Sequence, residues 1–81
     1  MHLSYDPEAN AAYWALGTPL QPGQSTQQLS GLTTPGGRGE IIIDFDADGQ
    51  LLGVEILHAD AVIRRALLDT ARPPTAAGPT T

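Results

Sequence analysis

The chain of 81 residues contains no cysteine and no lysine. Without cysteine it has no disulfide, no thiolate metal site and no thiol nucleophile. Four arginines stand against nine acidic residues, so the formal net charge is −5. Phosphate contacts supply most of the non-specific affinity of proteins for nucleic acids. The charge therefore argues against a nucleic-acid partner, and the basic pair Arg64–Arg65 is interpreted as a solvated helix face.

Long apolar runs are also missing. No segment approaches the roughly 18 apolar residues of a membrane span, and no basic stretch at the N-terminus leads into an apolar run. We therefore expect a cytoplasmic protein without a membrane partner. The length allows one small domain, over residues 1–70, with a thin core. A protein partner or a second copy of the chain would add stability.

Glycine and proline are concentrated in two stretches. Gly17–Gly39 holds six glycines and three prolines, which disfavours helix. A loop of 23 residues without structure would be unusual in so small a domain. We therefore predict an edge strand near Ser25–Leu29 within this stretch. Residues 71–81 have nothing to bury, and we predict a disordered tail there.

Residues 40–57 carry the strongest secondary-structure pattern, with two runs in which every second residue is apolar. These apolar residues are Ile41, Ile43 and Phe45 in the first run, and Leu52, Val54 and Ile56 in the second. A hairpin with the four-residue loop Ala47–Gln50 would place both sets on one face and Phe45 beside Leu52. The other face would carry Ile42, Asp44, Leu51, Gly53, Glu55 and Leu57. We expect its carboxylates to keep that face solvated.

Shorter patterns flank this hairpin. Leu3 and Tyr5 suit a short strand that ends in turn residues, and Ala11–Leu16 suits a second strand. In that second strand Tyr13 and Trp14 must point to opposite faces.

After residue 57 the pattern changes to a helical period. Asp60 is the expected N-cap of a helix over Ala61–Thr70. The residues expected to face the core are Ile63, Ala66, Leu67 and Thr70. The sequence therefore predicts an α+β fold, in which an antiparallel sheet of three to five short strands is covered by one C-terminal amphipathic helix.

The twelve residues from Asp44 to Glu55 match the calcium-loop pattern D-x-[DN]-x-[DN]-G-x5-E at every fixed position. A calcium loop of this kind usually lies between two helices. The glycines and isoleucines before Asp44 instead favour a strand. We therefore predict a hairpin with no metal and no cofactor. The alternative is a cation site formed by Asp44, Asp46, Asp48 and Glu55.

Two stretches resemble a known family. Tyr5–Tyr13 (YDPEANAAY) is similar to its motif Y-D-P-E-A-D-A-L-Y-I, and Asp44–Leu57 (DFDADGQLLGVEIL) to its motif D-x-D-x-D-G-x-[LIV]-[LIV]-G-[IV]-E-[IL]-L. The family consists of small prokaryotic proteins catalogued as domain of unknown function 2283. Asn10, Ala12 and Trp14 depart from its usual Asp, Leu and aliphatic residue. The resemblance covers residues 3–67.

The resemblance implies an antiparallel sheet followed by a C-terminal helix, and it supplies no catalytic residue. Because some members are encoded beside small toxins, it also implies an antitoxin-like role as one option.

The residues themselves favour an interaction module over an enzyme. His2 and His58 are the only candidates for a general base at neutral pH, and no serine lies in a nucleophile-elbow pattern. We therefore expect a non-enzymatic protein-interaction module, with self-association to a homodimer as one form. The expected contact residues are Trp14, Ile42, Leu51 and Leu57. The alternative is a small metal-dependent or acid–base enzyme that uses Asp44, Glu55 and His58.

Overall fold

The computed structural model describes residues 2–17 and 21–74. These residues form one five-stranded antiparallel sheet with two short helices on one face. The strands are β1 (His2–Asp6), β2 (Ala11–Ala15), β3 (Gln27–Thr33), β4 (Glu40–Phe45) and β5 (Leu51–Leu57). The helices are α1 (Ala59–Val62) and α2 (Arg65–Leu68), and a 3-10 turn (Pro35–Gly37) connects β3 to β4. The spatial order of the strands is β1-β2-β5-β4-β3, so β5 lies at the centre.

The predicted hairpin is present, but its tip differs from the prediction. Ile41 lies opposite Ile56 and Ile43 opposite Val54, as expected, whereas Phe45 lies opposite Leu51 and not Leu52. The register shifts by one residue between Asp44 and Phe45. Leu52 is the extra residue of this β-bulge. It packs with Tyr13 and Ala15 on the face opposite the helices.

The turn itself explains the shift. The Asp46 amide donates to the Gln50 carbonyl (2.9 Å), and the Gly49 amide donates to the Asp46 carbonyl (3.0 Å). Asp46 Oδ1 also accepts hydrogen bonds from the amides of Asp48 and Gln50, both at 2.9 Å. Gly49 has a positive φ of 76°. A β-turn followed by a left-handed glycine is the usual three-residue hairpin loop, one residue shorter than the predicted loop.

The main core lies between the sheet and the helices. Residues that lie directly opposite each other in neighbouring strands share a face of the sheet, and one such set faces the helices. Its buried members are Ala12 and Ile56 from the sheet and Ala59 and Leu68 from the helices. The Ala59 amide donates to the carbonyl of Asn10 (2.9 Å), and small side chains on both elements permit this close approach.

The predicted single helix over residues 61–70 is wrong. The backbone is extended at Ile63 (φ −101°, ψ 135°) and at Arg64 (φ −58°, ψ 140°), which separates α1 from α2. The break shifts the buried positions: Leu68 is buried, whereas Leu67 is exposed. Asp60 is not the N-cap either, because His58 occupies that position with a positive φ of 57°. Within the described ranges, no helix is long and apolar enough to cross a membrane.

Both stretches rich in glycine and proline contain residues that pair with the sheet. The edge strand β3 begins two residues after the predicted start and extends to Thr33. The predicted tail is described as far as residue 74. Within it, the Arg72 amide donates to the Leu3 carbonyl (2.9 Å), and the Tyr5 amide donates to the Arg72 carbonyl (2.8 Å). Arg72 therefore pairs with the outer edge of β1, while residues 75–81 lie outside the described part of the chain.

Asn10 holds the start of α1 from the turn between β1 and β2. Its Oδ1 accepts hydrogen bonds from the Asp60 amide (3.1 Å) and from the Tyr5 hydroxyl (3.0 Å). Its Nδ2 donates to Asp60 Oδ1 (2.8 Å). The residue has a positive φ of 51°, which asparagine tolerates better than most residues. One side chain thus satisfies an orphan amide at the beginning of the helix.

Exchanging the two side chains tests this contact. Asn10→Asp removes the amide donor and places a second carboxylate beside Asp60, so we expect a loss of about 1 kcal/mol in the free energy of unfolding. Asp60→Asn alone should change it by less than about 0.5 kcal/mol, because an amide oxygen still accepts. The double variant should regain stability, since the amide introduced at position 60 donates to the carboxylate introduced at position 10. Urea unfolding gives the free energy of unfolding of the wild type, both single variants and the double variant. If the effects of the two single substitutions add up to the effect of the double substitution, the proposed contact is contradicted.

Candidate functional site

A buried polar cluster, formed by Tyr13, Asp44 and Glu55, lies on the face opposite the helices. Tyr13 pairs with Glu55 across β2 and β5, and Asp44 pairs with Gly53 across β4 and β5. The exposed fractions are 0% for Asp44, 3% for Glu55 and 6% for Tyr13. The expectation that these carboxylates keep the face solvated is therefore wrong.

Gly53 makes room for this cluster. A Cβ atom at Gly53 would lie 2.5 Å from the Tyr13 hydroxyl oxygen and 2.7 Å from the Trp14 carbonyl oxygen. The tyrosine hydroxyl consequently lies over the glycine backbone, beside the carboxylate of Asp44. Only a residue without a side chain permits this approach.

Few hydrogen bonds compensate the burial of Asp44. The Gln28 side chain donates from Nε2 to Asp44 Oδ1 (2.7 Å). Among the described residues, Asp44 Oδ2 and the Tyr13 hydroxyl have no hydrogen-bond partner of good geometry. Burial raises the pKa of the Tyr13 phenol well above its ordinary value, and the neighbouring Asp44 and Glu55 carboxylates raise the pKa further. Tyr13 is therefore a neutral hydroxyl that is held next to two acids.

The four carboxylates of the calcium-loop pattern lie in different environments. Asp44 and Glu55 are buried in strands, Asp46 closes the turn with its side chain, and Asp48 is exposed. Over residues 2–17 and 21–74, no group of three or more histidine, cysteine or acidic side chains could hold a metal ion. The pattern is a hairpin with an aspartate-supported turn, as predicted.

Asp44, Glu55 and His58, the residues of the enzyme alternative, do not line the groove that the structure shows. This open groove, of about 300 Å³, is lined by His2, Leu3, Trp14, Thr70 and Arg72. His58 is exposed at the N-cap position of α1, whereas Asp44 and Glu55 are buried. A substrate in solution therefore has no access to the two carboxylates in this conformation.

An apolar row crosses the whole sheet on the helix side. Successive strand pairings align one residue from each strand, so that the row consists of Leu3, Trp14, Val54, Ile43 and Leu29. Leu3 and Val54 pack against the core, but Trp14 is 37% exposed and Leu29 is 55% exposed. The short helices thus leave parts of this apolar row open to solvent.

The four predicted contact residues do not form one patch. Trp14 belongs to the apolar row on the helix side, whereas Ile42 pairs with the buried Glu55 on the opposite face. Leu57 lies on that opposite face as well and is half-buried. Leu51 is 49% exposed next to the hairpin turn. The sequence pattern did not indicate Leu29, because the position of β3 depends on its pairing with a distant strand.

A family model described as "Protein of unknown function (DUF2283)" matches residues 2–59. The matched range contains all five strands and ends at the first residue of α1. Because it covers well over half of the chain, the protein belongs to this family. No curated protein and no solved structure matches the chain.

Replacing Gly53 tests the packing of the polar cluster. Gly53→Ala would push its new methyl group into Tyr13 and the β2 backbone, so we expect the free energy of unfolding to fall by about 1–3 kcal/mol. Gly17→Ala is the matched control, since nothing in the part of the chain that the structure describes lies within 4 Å of its Cβ position. The control should stay within about 0.5 kcal/mol of the wild type. Equal stabilities of the two variants in urea would contradict the placement of Tyr13.

Alkaline unfolding tests the environment of the Tyr13 phenol. Unfolded tyrosine releases its proton near pH 10.0, whereas the folded protein holds the Tyr13 proton to higher pH. Between these two pKa values the folded state binds more protons. The free energy of unfolding therefore falls as pH rises above 10, by up to about 1.4 kcal/mol per pH unit.

The variant Tyr13→Phe should remove this part of the pH dependence, and Tyr5→Phe serves as the control that keeps it. Urea unfolding at pH 9, 10 and 11 gives the slope for each protein. An unchanged slope in Tyr13→Phe would contradict the raised pKa.

Proposed function

We propose that this protein is a non-enzymatic protein-interaction module that binds its partner through the apolar row on the helix side of the sheet. The exposure of Trp14 and Leu29 within that row is the observation that carries the proposal. Aromatic side chains are enriched at protein interfaces, and exposed apolar patches often mark association sites. Leu32 lies beside the row on β3 and is 45% exposed.

The charge distribution supports a protein partner. All four arginines are exposed, only Arg64 and Arg65 are adjacent in the chain, and acidic residues outnumber the arginines. A nucleic acid would meet net repulsion from such a surface. The residues of the apolar row carry no charge, so a protein surface with matching apolar side chains can approach it. The absence of cysteine suits a reducing compartment, and we place the module in the prokaryotic cytoplasm.

The buried cluster weakens the enzyme alternative. General acid–base catalysis requires a side chain within hydrogen-bond reach of the substrate. The carboxylates of Asp44 and Glu55 are at most 3% exposed, so they are poor candidates for contact with a substrate. The cluster instead supports the packing of β2 on β5.

Site-specific photo-crosslinking in living cells tests the proposal. A photoreactive phenylalanine analogue at position 14 or 29 should give one crosslinked product of discrete mass, because both side chains lie in the proposed contact surface. The same analogue at position 8, an exposed turn residue, should give none. Co-expression of two differently tagged copies then distinguishes a second copy from another protein. Equal, diffuse crosslinking at all three positions would contradict the proposal.

A further inference from the structure

The two edge strands of the sheet, β1 and β3, differ in the pairing of their outward backbone groups. At the β1 edge, backbone hydrogen bonds to Arg72 occupy the outward amide of Tyr5 and the carbonyl of Leu3. At the other edge, all seven residues of β3 are exposed. Within the described part of the chain, β3 pairs with β4 alone. An open edge of this kind presents backbone donors and acceptors that can pair with a further strand.

The sequence of β3 has few of the features that prevent edge pairing. Natural edge strands are commonly protected by lysine, proline or inward-pointing charges. The strand QQLSGLT contains no charged residue and no proline. Its one irregularity is a bulge between Leu29 and Leu32, where Gly31 has a positive φ of 80°. The amide of Gly31 donates to Glu40 (3.4 Å), so the bulge turns toward its own sheet.

We propose that β3 pairs with β3 of a second copy of this chain, antiparallel and related by a two-fold axis perpendicular to the sheet. This inference rests on the proposed function and names a second copy as the partner at the Leu29 end of the apolar row. This pairing would join the two five-stranded sheets into a single sheet of ten strands. The helices of both copies would then lie on the same side of that sheet. The apolar row of each copy ends at Leu29, so the two rows would meet at the junction.

Charge favours this edge over the acidic surfaces as the place where two copies meet. Two chains that each carry −5 repel one another over most of their surfaces. The uncharged β3 is a place where like-charged copies can meet without setting two acidic side chains face to face. A symmetric contact also needs a surface that is complementary to itself, and an antiparallel strand edge provides this through its backbone alone. A second copy would further enlarge the thin core that a chain of this size can form.

Sedimentation velocity of the full chain at tens of micromolar tests the pairing. The wild type should sediment as a dimer of the 8.5 kDa chain. Leu29→Lys places two like charges beside each other across the proposed junction, and we expect its dimer dissociation constant to rise at least about tenfold. Leu51→Lys is the matched control, because this leucine is similarly exposed (49% against 55%) but lies beside the hairpin turn. It should remain a dimer.

A charge-complementation experiment makes the test specific. Leu29→Lys and Leu29→Glu should each be monomeric and should form a heterodimer when mixed, because opposite charges then meet at the junction. Circular dichroism of each variant verifies the fold before mixing. Failure of the mixture to associate, with both variants folded, would overturn the β3 pairing.

The remaining outcomes separate this inference from the proposed function. A wild-type dimer that persists in Leu29→Lys but dissociates in Trp14→Lys overturns the edge pairing and leaves the interaction module in place. A monomeric wild type overturns the second copy as partner. In that case the crosslinking at positions 14 and 29 decides the proposed function by itself.

Discussion

Asp44 lies directly opposite Gly53 in the β4–β5 hairpin, and this pairing fixes the face on which the residues of the central strands lie. Side chains alternate between faces along a strand, so a slip of β4 by one residue against β5 would turn Asp44 toward the helices and away from Glu55. The turn sets the register: Asp46 accepts two amide hydrogen bonds, and Gly49 supplies the left-handed conformation. Beyond the turn, the extra residue at the Leu52 bulge shifts the register by one, so that Asp44 pairs with Gly53.

The same pairing explains how a small domain tolerates two buried acids. A buried carboxylate costs free energy unless polar groups surround it. Gln28 donates one hydrogen bond to Asp44, and the Tyr13 hydroxyl lies beside the same carboxylate, where Gly53 leaves space for it. These contacts come from β2, β3 and β5, so the cluster is complete only when three neighbours of Asp44 have assembled. It therefore links the position of β3 to the register of the hairpin.

Local sequence patterns predicted the parts of the fold that local interactions determine. The alternation of isoleucine, valine and leucine with other residues predicted the hairpin, and Gly49 indicated the position of its turn. The helix prediction failed because a stripe of apolar residues at helical spacing does not reveal where the backbone extends, as it does at Ile63 and Arg64 between α1 and α2. The exact span of β3, the bulge at Leu52 and the burial of Asp44 depend on partners that are distant in sequence. The role of Asn10 likewise appears only when Asp60 is brought next to it.

The placement of the helices leaves part of the apolar face of the sheet uncovered. Helices α1 and α2 contain four residues each and cover the end of the sheet where Tyr5, Ala12 and Ile56 lie. The neighbouring apolar row extends beyond this cover at Trp14 and again at Leu29. A second layer over the full row would need longer helices than these residues form. The opposite face already contains its own packed cluster, so the helix side toward β3 is the surface on which the proposed partner would add apolar contact.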